Sequence, residues 1–245
     1  MSLYKTTLTL RSSDVDAKRR LRLSSLFTLL QEAAIAHTTE LGMGREKTLD
    51  RGLLWIVTRQ QIRVTRLPSY DETVTLFSWP GETLHLYFPR FFRLTDAAGE
   101  TLLEASTLWA LMDQESRHIV FPEEVGVEIE ADPEESALPL PAAPRLPELT
   151  QEQNFTVPYS YTDLNGHMNN ARYPDLAEDL MPPALREKSI REIVTEYGGE
   201  ASEGETIRLK TAAGEDSFAM AGFGPEEKRL FRLLLRFFDG INADR

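Results

Sequence analysis

Cysteine is absent from this chain of 245 residues. Its absence excludes disulfides, cysteine-ligated zinc and a thiolate nucleophile, so any catalysis has to use oxygen or imidazole groups. Histidine is scarce, and the four histidines are scattered without the spacing of metal ligands. We therefore predict neither a metal site nor a bound cofactor.

Long apolar runs are also missing, and none approaches the roughly 18 residues that a membrane span needs. Basic residues are outnumbered, and the net charge of −12 argues against nucleic acid and anionic membrane surfaces as general partners. The first residues alternate as in a β-strand and show no signal or transit peptide, which predicts a cytoplasmic, prokaryotic protein.

The chain divides at a stretch that is rich in acidic residues and proline. Such a stretch cannot bury a core of its own and prefers extended conformations. We therefore predict an N-terminal unit at residues 1–130, a linker at 131–150 and a C-terminal unit at 151–245.

Both units show the same order of predicted elements: a strand, a helix and then four strands. In the first unit an apolar stripe predicts a helix over 21–41, which Gly42 ends. Four strands follow, at 53–64, 72–79, 84–94 and 102–113. The second unit has a strand at 153–161, a helix at 169–181, and strands at 188–197, 205–211, 217–223 and 230–238. This order indicates a duplicated α+β unit.

The turn before the second helix carries most of the plausible chemistry. Asn165-Gly166 favours a tight turn, which would bring Asp163, Asn165 and His167 together. Asn169 or Asn170 can cap the following helix, whose first N–H groups suit a carbonyl oxygen or an anion. These features favour acyl chemistry in the second unit.

The first unit lacks this set of groups. We align Asp163-x-Asn165-x-His167 with Asp14-x-Asp16-x-Lys18, where no histidine is present. We interpret His37, on the apolar helix stripe, as a core histidine rather than a catalyst. The first unit's large aromatic residues are interpreted mainly as core, with the wall of an acyl-chain site as the alternative; they are Trp55, Phe77, Trp79, Phe88, Phe91, Phe92 and Trp109.

Three stretches carry a family resemblance. The segment 163–173 resembles the Asp-x-Asn-x-His-x-Asn-Asn segment of the fatty acyl-acyl carrier protein thioesterases. Residues 29–37 with 54–59 look like that family's first repeat, and residues 196–201 resemble its Glu-Tyr-x-x-Glu-Cys motif. The resemblance implies an α+β, tandem (double) hot-dog fold, with two long helices each wrapped by an antiparallel sheet. It also implies hydrolysis of acyl-ACP thioesters in fatty acid metabolism.

The resemblance places the catalytic groups on Asp163, Asn165, His167 and Glu200. Ala201 stands where the family has cysteine, so a Cys-His mechanism is excluded. In the expected mechanism, N–H groups at the start of the Asn169 helix hold the thioester oxygen, and His167 and Glu200 share base and proton-transfer duties around a water. Asn165 orients water or substrate, and Asp163 fixes the imidazole. Which of the two groups is the base stays open.

The expected partner is acyl carrier protein, which is strongly acidic. Its predicted landing site is the basic run Lys18, Arg19, Arg20 and Arg22, for which a solvated face is the alternative. Alternative functions are an acyl-CoA thioesterase of the same fold and a non-catalytic fatty-acyl binding protein. A hot-dog hydratase ranks low because its motif spaces aspartate and histidine differently. Monomer and homodimer both remain open.

Overall fold

The computed structural model describes residues 3–134, 136 and 138–239. Its contacts divide the chain into one unit of Met1–Arg22 and Thr28–Pro141 and a second of Leu23–Phe27 and Ala142–Arg245. The limits 1–130 and 151–245 remain predictions, and residues 1, 2 and 240–245 lie outside the described part. Glu135 and Ala137 of the predicted linker also lie outside it.

The first unit contains an antiparallel sheet whose strands run in the order β1-β3-β4-β5-β2, with β6 paired to β5. Its elements are β1 (Tyr4–Thr9), α1 (Leu23–Glu40, of which Leu23–Phe27 is grouped with the second unit), α2 (Arg45–Leu49), β2 (Leu53–Val64), β3 (Thr73–Pro80), β4 (Phe88–Thr95), β5 (Thr101–Asp113), β6 (Ile119–Val120) and α3 (Pro122–Val125).

The second unit repeats this topology with strand order β7-β9-β10-β11-β8, again antiparallel throughout. Its elements are β7 (Gln151–Thr156), α4 (Tyr173–Leu180), α5 (Pro183–Arg186), β8 (Ile190–Tyr197), β9 (Thr206–Ala213), β10 (Ser217–Phe223) and β11 (Arg229–Phe237). Identical strand order in both units is what the predicted duplication requires.

Apolar residues at helical spacing explain α1. Leu23, Leu30, Ala34 and His37 of the predicted stripe are all buried. The helix ends where Gly42 adopts a φ of 76°, a conformation that glycine reaches without strain.

Aromatic residues of the first unit belong largely to the core, as predicted. One buried cluster joins Leu53, Phe88, Leu111 and Val127. Trp55 and Trp109 are partly buried and pack against this cluster. Trp79 and Phe92 are also almost fully buried.

His37 is a buried histidine held by polar neighbours, which confirms its interpretation as a core residue. Nη1 of Arg90 donates to its Nδ1 at 2.8 Å and lies 3.1 Å from Oγ of Ser78. Nη2 of Arg90 donates to Oγ1 of Thr38 at 3.0 Å. Burial lowers the pKa of Arg90 to about 10, because a guanidinium loses hydration inside the protein.

Three predicted elements differ in the structure. The strand expected at 84–94 begins at Phe88, because Leu84 and Tyr87 exchange two backbone hydrogen bonds of 2.8 Å and close a turn. The strand expected at 153–161 covers Gln151–Thr156, and a 3-10 turn occupies Tyr159–Tyr161. The first part of the predicted linker is anchored to the first unit, since Oγ of Ser106 donates to the Pro139 carbonyl at 2.8 Å.

The longest helix, α1, has 18 residues, and in the described part of the chain no helix has the apolar length that crossing a bilayer requires. The same residues contain no group of three or more His, Asp or Glu side chains placed to hold a metal ion.

Candidate active site

A closed turn presents His167. The backbone N–H of Asn165 donates to Oδ1 of Asp163 at 2.7 Å, and that of Gly166 donates to the Asp163 carbonyl at 2.9 Å. Gly166 has a φ of 78°, which explains the Asn-Gly sequence. The Asp163 N–H then donates to the His167 carbonyl at 2.9 Å, so the turn fixes the backbone of the histidine.

A short bridge brings Glu200 to His167. His167 pairs with Ser202, and the Met168 N–H donates to the Ala201 carbonyl at 2.7 Å. Nδ1 of His167 therefore lies 3.6 Å from Oε1 of Glu200. The side chains are 29% and 39% exposed, so both are accessible from solvent. Ala201, at the family's cysteine position, is completely buried.

The backbone after His167 is capped as predicted, but the helix begins later and is shorter than expected. Oδ1 of Asn169 accepts the Ala171 N–H at 2.8 Å and caps a 3-10 turn over Asn170–Arg172. The α-helix spans only Tyr173–Leu180. The predicted helix of 169–181, and the prediction of two long helices, are therefore wrong in this unit. The cap uses the Ala171 N–H. The Asn170 N–H, at the same turn, makes no hydrogen bond among the described residues.

Tyr197, which is partly buried, supports this turn and packs against the buried Tyr173. Oη of Tyr197 donates to the Asn170 carbonyl at 3.4 Å. The rings of Tyr173 and Tyr197 lie 5.9 Å apart, and Tyr173 also packs 4.2 Å from Phe231. Burial raises the pKa of both tyrosines, so both hydroxyls stay protonated at neutral pH. The sequence predictions gave Tyr197 no role, although it lies in the Glu-Tyr-x-x-Glu motif that suggested Glu200.

Asp163 and Asn165 serve the turn more directly than the imidazole. The described contacts of the Asp163 carboxylate include the Asn165 N–H and no hydrogen bond to His167, unlike the predicted contact. Asn165 is exposed at the turn. Asp163 therefore stabilises the loop that carries His167.

The first unit contains the same turn, shifted from the predicted alignment by two residues. The Lys18 N–H donates to Oδ1 of Asp16 at 2.8 Å, and the Arg19 N–H donates to the Asp16 carbonyl at 2.9 Å. Arg19 has a φ of 66°, close to that of Gly166. Asp16 is thus the counterpart of Asp163. The alignment with Asp14-x-Asp16-x-Lys18 is wrong, and Arg20 takes the place of His167.

The segment that pairs with His167 also has a counterpart in the first unit. The Ser69 N–H donates to Oε2 of Glu72 at 2.9 Å, and the Ser202 N–H donates to Oε2 of Glu205 at 3.1 Å. Two residues before these serines stand Leu67 and Glu200. The first unit therefore lacks both the imidazole and the carboxylate.

Two residues of the predicted basic landing site hold its loop, and two are exposed. Nη2 of Arg20 lies 3.0 Å from Oδ2 of Asp16, and Nε of Arg22 donates to the Val15 carbonyl at 2.7 Å. These two guanidinium groups hold the loop. Lys18 and Arg19 are exposed, with Arg19 over the Tyr70 ring at 5.4 Å.

Comparison with known families matches both units. The model of the acyl-ACP thioesterase N-terminal domain matches residues 1–129, and that of the acyl-ACP thioesterase C-terminal domain matches residues 146–227. A chloroplastic palmitoyl-acyl carrier protein thioesterase of Cuphea hookeriana is 26% identical over 94% of this chain. Its Arabidopsis thaliana namesake is 27% identical over 99%. The chain spans 59% and 62%, respectively, of the lengths of these relatives.

Solved structures with the same fold cover nearly all of the chain. A crystal structure of an acyl-ACP thioesterase from Bacteroides thetaiotaomicron superimposes with a TM-score of 0.80, covering 96% of this chain and 98% of that one, at 22% identity. The 12:0-ACP thioesterase from Umbellularia californica gives a TM-score of 0.83, with 96% and 97% covered, at 23% identity. The predicted α+β, double hot-dog fold class is confirmed.

Proposed function

Because the chain belongs to the acyl-ACP thioesterase family, we propose that it hydrolyses fatty acyl-acyl carrier protein thioesters to free fatty acid and carrier protein. The observation that supports this most is the placement of the His167 imidazole 3.6 Å from the Glu200 carboxylate, beside a capped turn. An imidazole and a carboxylate at this distance can activate a water for attack on a thioester.

In the proposed reaction, the water gives a proton to the His167/Glu200 pair while its oxygen attacks the thioester carbon. The C–S bond then breaks, and the leaving thiolate takes up the proton. A neutral imidazole is the stronger base, and the carboxylate stabilises the imidazolium that forms. General-base catalysis of this kind contributes about 10² to 10⁴-fold.

The thioester oxygen gains negative charge during attack and needs a donor. The Asn170 N–H suits this role because the Ala171 N–H is already used by the Asn169 cap. One oxyanion donor is worth about 10² to 10³-fold in rate. Asn165, exposed on the turn, is proposed to orient the water or the substrate, and Asp163 to hold the turn.

The proposed partner is acyl carrier protein, docking through Lys18 and Arg19 of the basic run. The exposed cations of Lys18 and Arg19 can attract an acidic partner to a protein with a net charge of −12. A cytoplasmic location and a homodimer accompany the proposal as further expectations.

The test is free-thiol release from matched acyl-carrier and acyl-CoA substrates of one chain length. Preferential turnover of the carrier substrate, lost in His167→Ala and Glu200→Ala, is expected. Equal use of both leaving groups would favour the acyl-CoA thioesterase. Tight acyl binding without turnover of either would favour the fatty-acyl binding protein.

A further inference from the structure

Two apolar side chains stand out on the loop that carries His167. Tyr159 is 76% exposed and Leu164 is 73% exposed. No other large hydrophobic residue in the described part of the chain exceeds the 49% of Phe121. Exposed apolar area of this kind is unfavourable in water and marks contact sites when it is concentrated.

The loop holds both residues in a defined backbone. Oγ1 of Thr162 donates to the Tyr159 carbonyl at 2.8 Å, and the Tyr161 N–H donates to the Pro158 carbonyl at 3.0 Å. Leu164 lies inside the turn closed by the Asp163 carboxylate. Their exposure is therefore a feature of an ordered loop.

The first unit shows that this backbone does not need large apolar side chains. The N–H groups of Leu10 and Val157 make equivalent bonds, to the carbonyls of Glu72 and Glu205, at 3.0 and 2.9 Å. Asp16 follows Leu10 by six residues, as Asp163 follows Val157, so the two loops align without insertion.

By this alignment, Ser12 and Ala17 occupy the positions of Tyr159 and Leu164, and both are exposed. The same loop thus carries two small side chains in the unit without the histidine and two large apolar ones in the unit with it. The difference points to a contact that only the second loop makes.

We propose that Tyr159 and Leu164 form an apolar docking contact for the carrier protein that delivers the acyl thioester to His167. This inference rests on the proposed function and specifies where its protein partner touches the second unit. Leu164 lies three residues before His167, so a protein bound there would stand beside the reacting thioester.

Charge explains why this contact is apolar. The partner is acidic, the chain has a net charge of −12, and the site itself contains the carboxylates of Asp163 and Glu200. Like charges repel, so these carboxylates do not attract an acidic partner. Apolar contact supplies favourable free energy without requiring opposite charge.

The experiment measures binding separately from turnover. Fluorescence anisotropy of labelled holo-acyl carrier protein gives Kd for the parent, Leu164→Ala and Tyr159→Ser, which install the first unit's residues. Each variant is expected to raise Kd about tenfold, as loss of a central apolar anchor does. Ile35→Ala, which trims a 41% exposed residue of α1, is the matched control and should leave Kd unchanged.

An unchanged Kd in both variants would overturn the proposal. So would a shift from dimer to monomer in sedimentation, because it would assign the apolar pair to a second copy of the chain. A loss of kcat on a small acyl-pantetheine, with an unaltered Kd for the carrier protein, would also overturn the proposal. It would show that the substitutions damage the turn and not a docking contact. If the parent binds the carrier through these residues but releases no thiol, the proposed function fails and the docking contact stands.

Discussion

Nδ1 of His167 lies 3.6 Å from Oε1 of Glu200. The distance exceeds a normal hydrogen bond but lies within ion-pair range. The Nδ1 atom is buried, and within the described residues no hydrogen bond reaches it. The pair is thus placed to form a closer contact when the imidazole gains a proton.

Removal of either member of this pair should be severe. His167→Ala and Glu200→Ala are each expected to lower kcat about 10² to 10⁴-fold, with little change in KM, because they remove base catalysis. Thiol release under steady-state conditions measures this. His118→Ala and Glu203→Ala change exposed residues of the same types and should retain parental kcat. Parental activity in His167→Ala would contradict the assignment.

The equivalent turns at Asp163 and Asp16 allow an effect on stability to be distinguished from an effect on catalysis. Asp163→Ala removes the acceptor of the Asn165 N–H and should cost about 1 kcal/mol of unfolding free energy, and Asp16→Ala, which removes the acceptor of two backbone N–H groups, should cost at least as much. Only Asp163→Ala should also lower kcat on acyl-pantetheine, by about 10-fold or more, because a small displacement of a catalytic group is costly. Urea denaturation and thiol release provide both measurements. Equal kcat loss in Asp16→Ala would refute this division.

Tyr197 is expected to hold the turn that follows His167. Tyr197→Phe keeps the ring packing and removes the donor to the Asn170 carbonyl, so kcat should fall about 3- to 10-fold, as expected for one hydrogen bond. Tyr173→Phe is the matched control, since the Tyr173 ring is buried and lies 5.9 Å from the Tyr197 ring. The comparison uses kcat with KM measured alongside. A larger loss in Tyr173→Phe would contradict the positioning role.

The residues of the basic run are expected to have two different roles, docking and stability. Arg19→Ala and Lys18→Ala should raise KM for acyl-carrier substrate about 3- to 10-fold and flatten its salt dependence, because a local attraction for an acidic partner is lost. Arg22→Ala should instead lower thermal stability, since its guanidinium holds the Val15 carbonyl. Steady-state kinetics at several salt concentrations tests the first pair. An unaltered KM would exclude these residues from docking.

The ion pair of Glu72 predicts a pH dependence. Its hydrogen bonds with Arg66, at 2.9 and 2.7 Å, hold the pKa of the Glu72 carboxyl below its ordinary value. A lowered folded-state pKa stabilises the fold above the unfolded value, and this stability is lost as the pH falls through the folded value.

Glu72→Gln should therefore lower the unfolding free energy at about pH 7 by about 0.5 to 1 kcal/mol, a value that allows for solvent screening. The deficit should shrink at about pH 3, where the parental carboxyl is also becoming protonated. Thermal melts at both values measure the difference. A deficit independent of pH would show that charge plays no part.

The sequence determined the local features of this protein. Periodic apolar residues predicted α1, the strand at Leu53–Val64 appears with its predicted limits, and Asn165-Gly166 predicted the turn before Asn169. These features depend on neighbours in the chain, so spacing and turn chemistry are sufficient to predict them. The order of elements likewise predicted the duplication.

Only the tertiary structure decided which groups meet. Glu200 reaches His167 through the bridge between His167 and Ser202 and the hydrogen bond from the Met168 N–H to the Ala201 carbonyl, which lies 33 residues further along the chain. No local pattern encodes this contact. The hydrogen bonds of the two turns were needed to identify Arg20 as the counterpart of His167, because residue spacing alone gave an alignment shifted by two residues. The late start of α4 also has a three-dimensional reason: the Asn169 cap and the Tyr197 hydroxyl hold Asn170–Arg172 as a 3-10 turn. Long-range contacts set these details, and they form only when the strands pair.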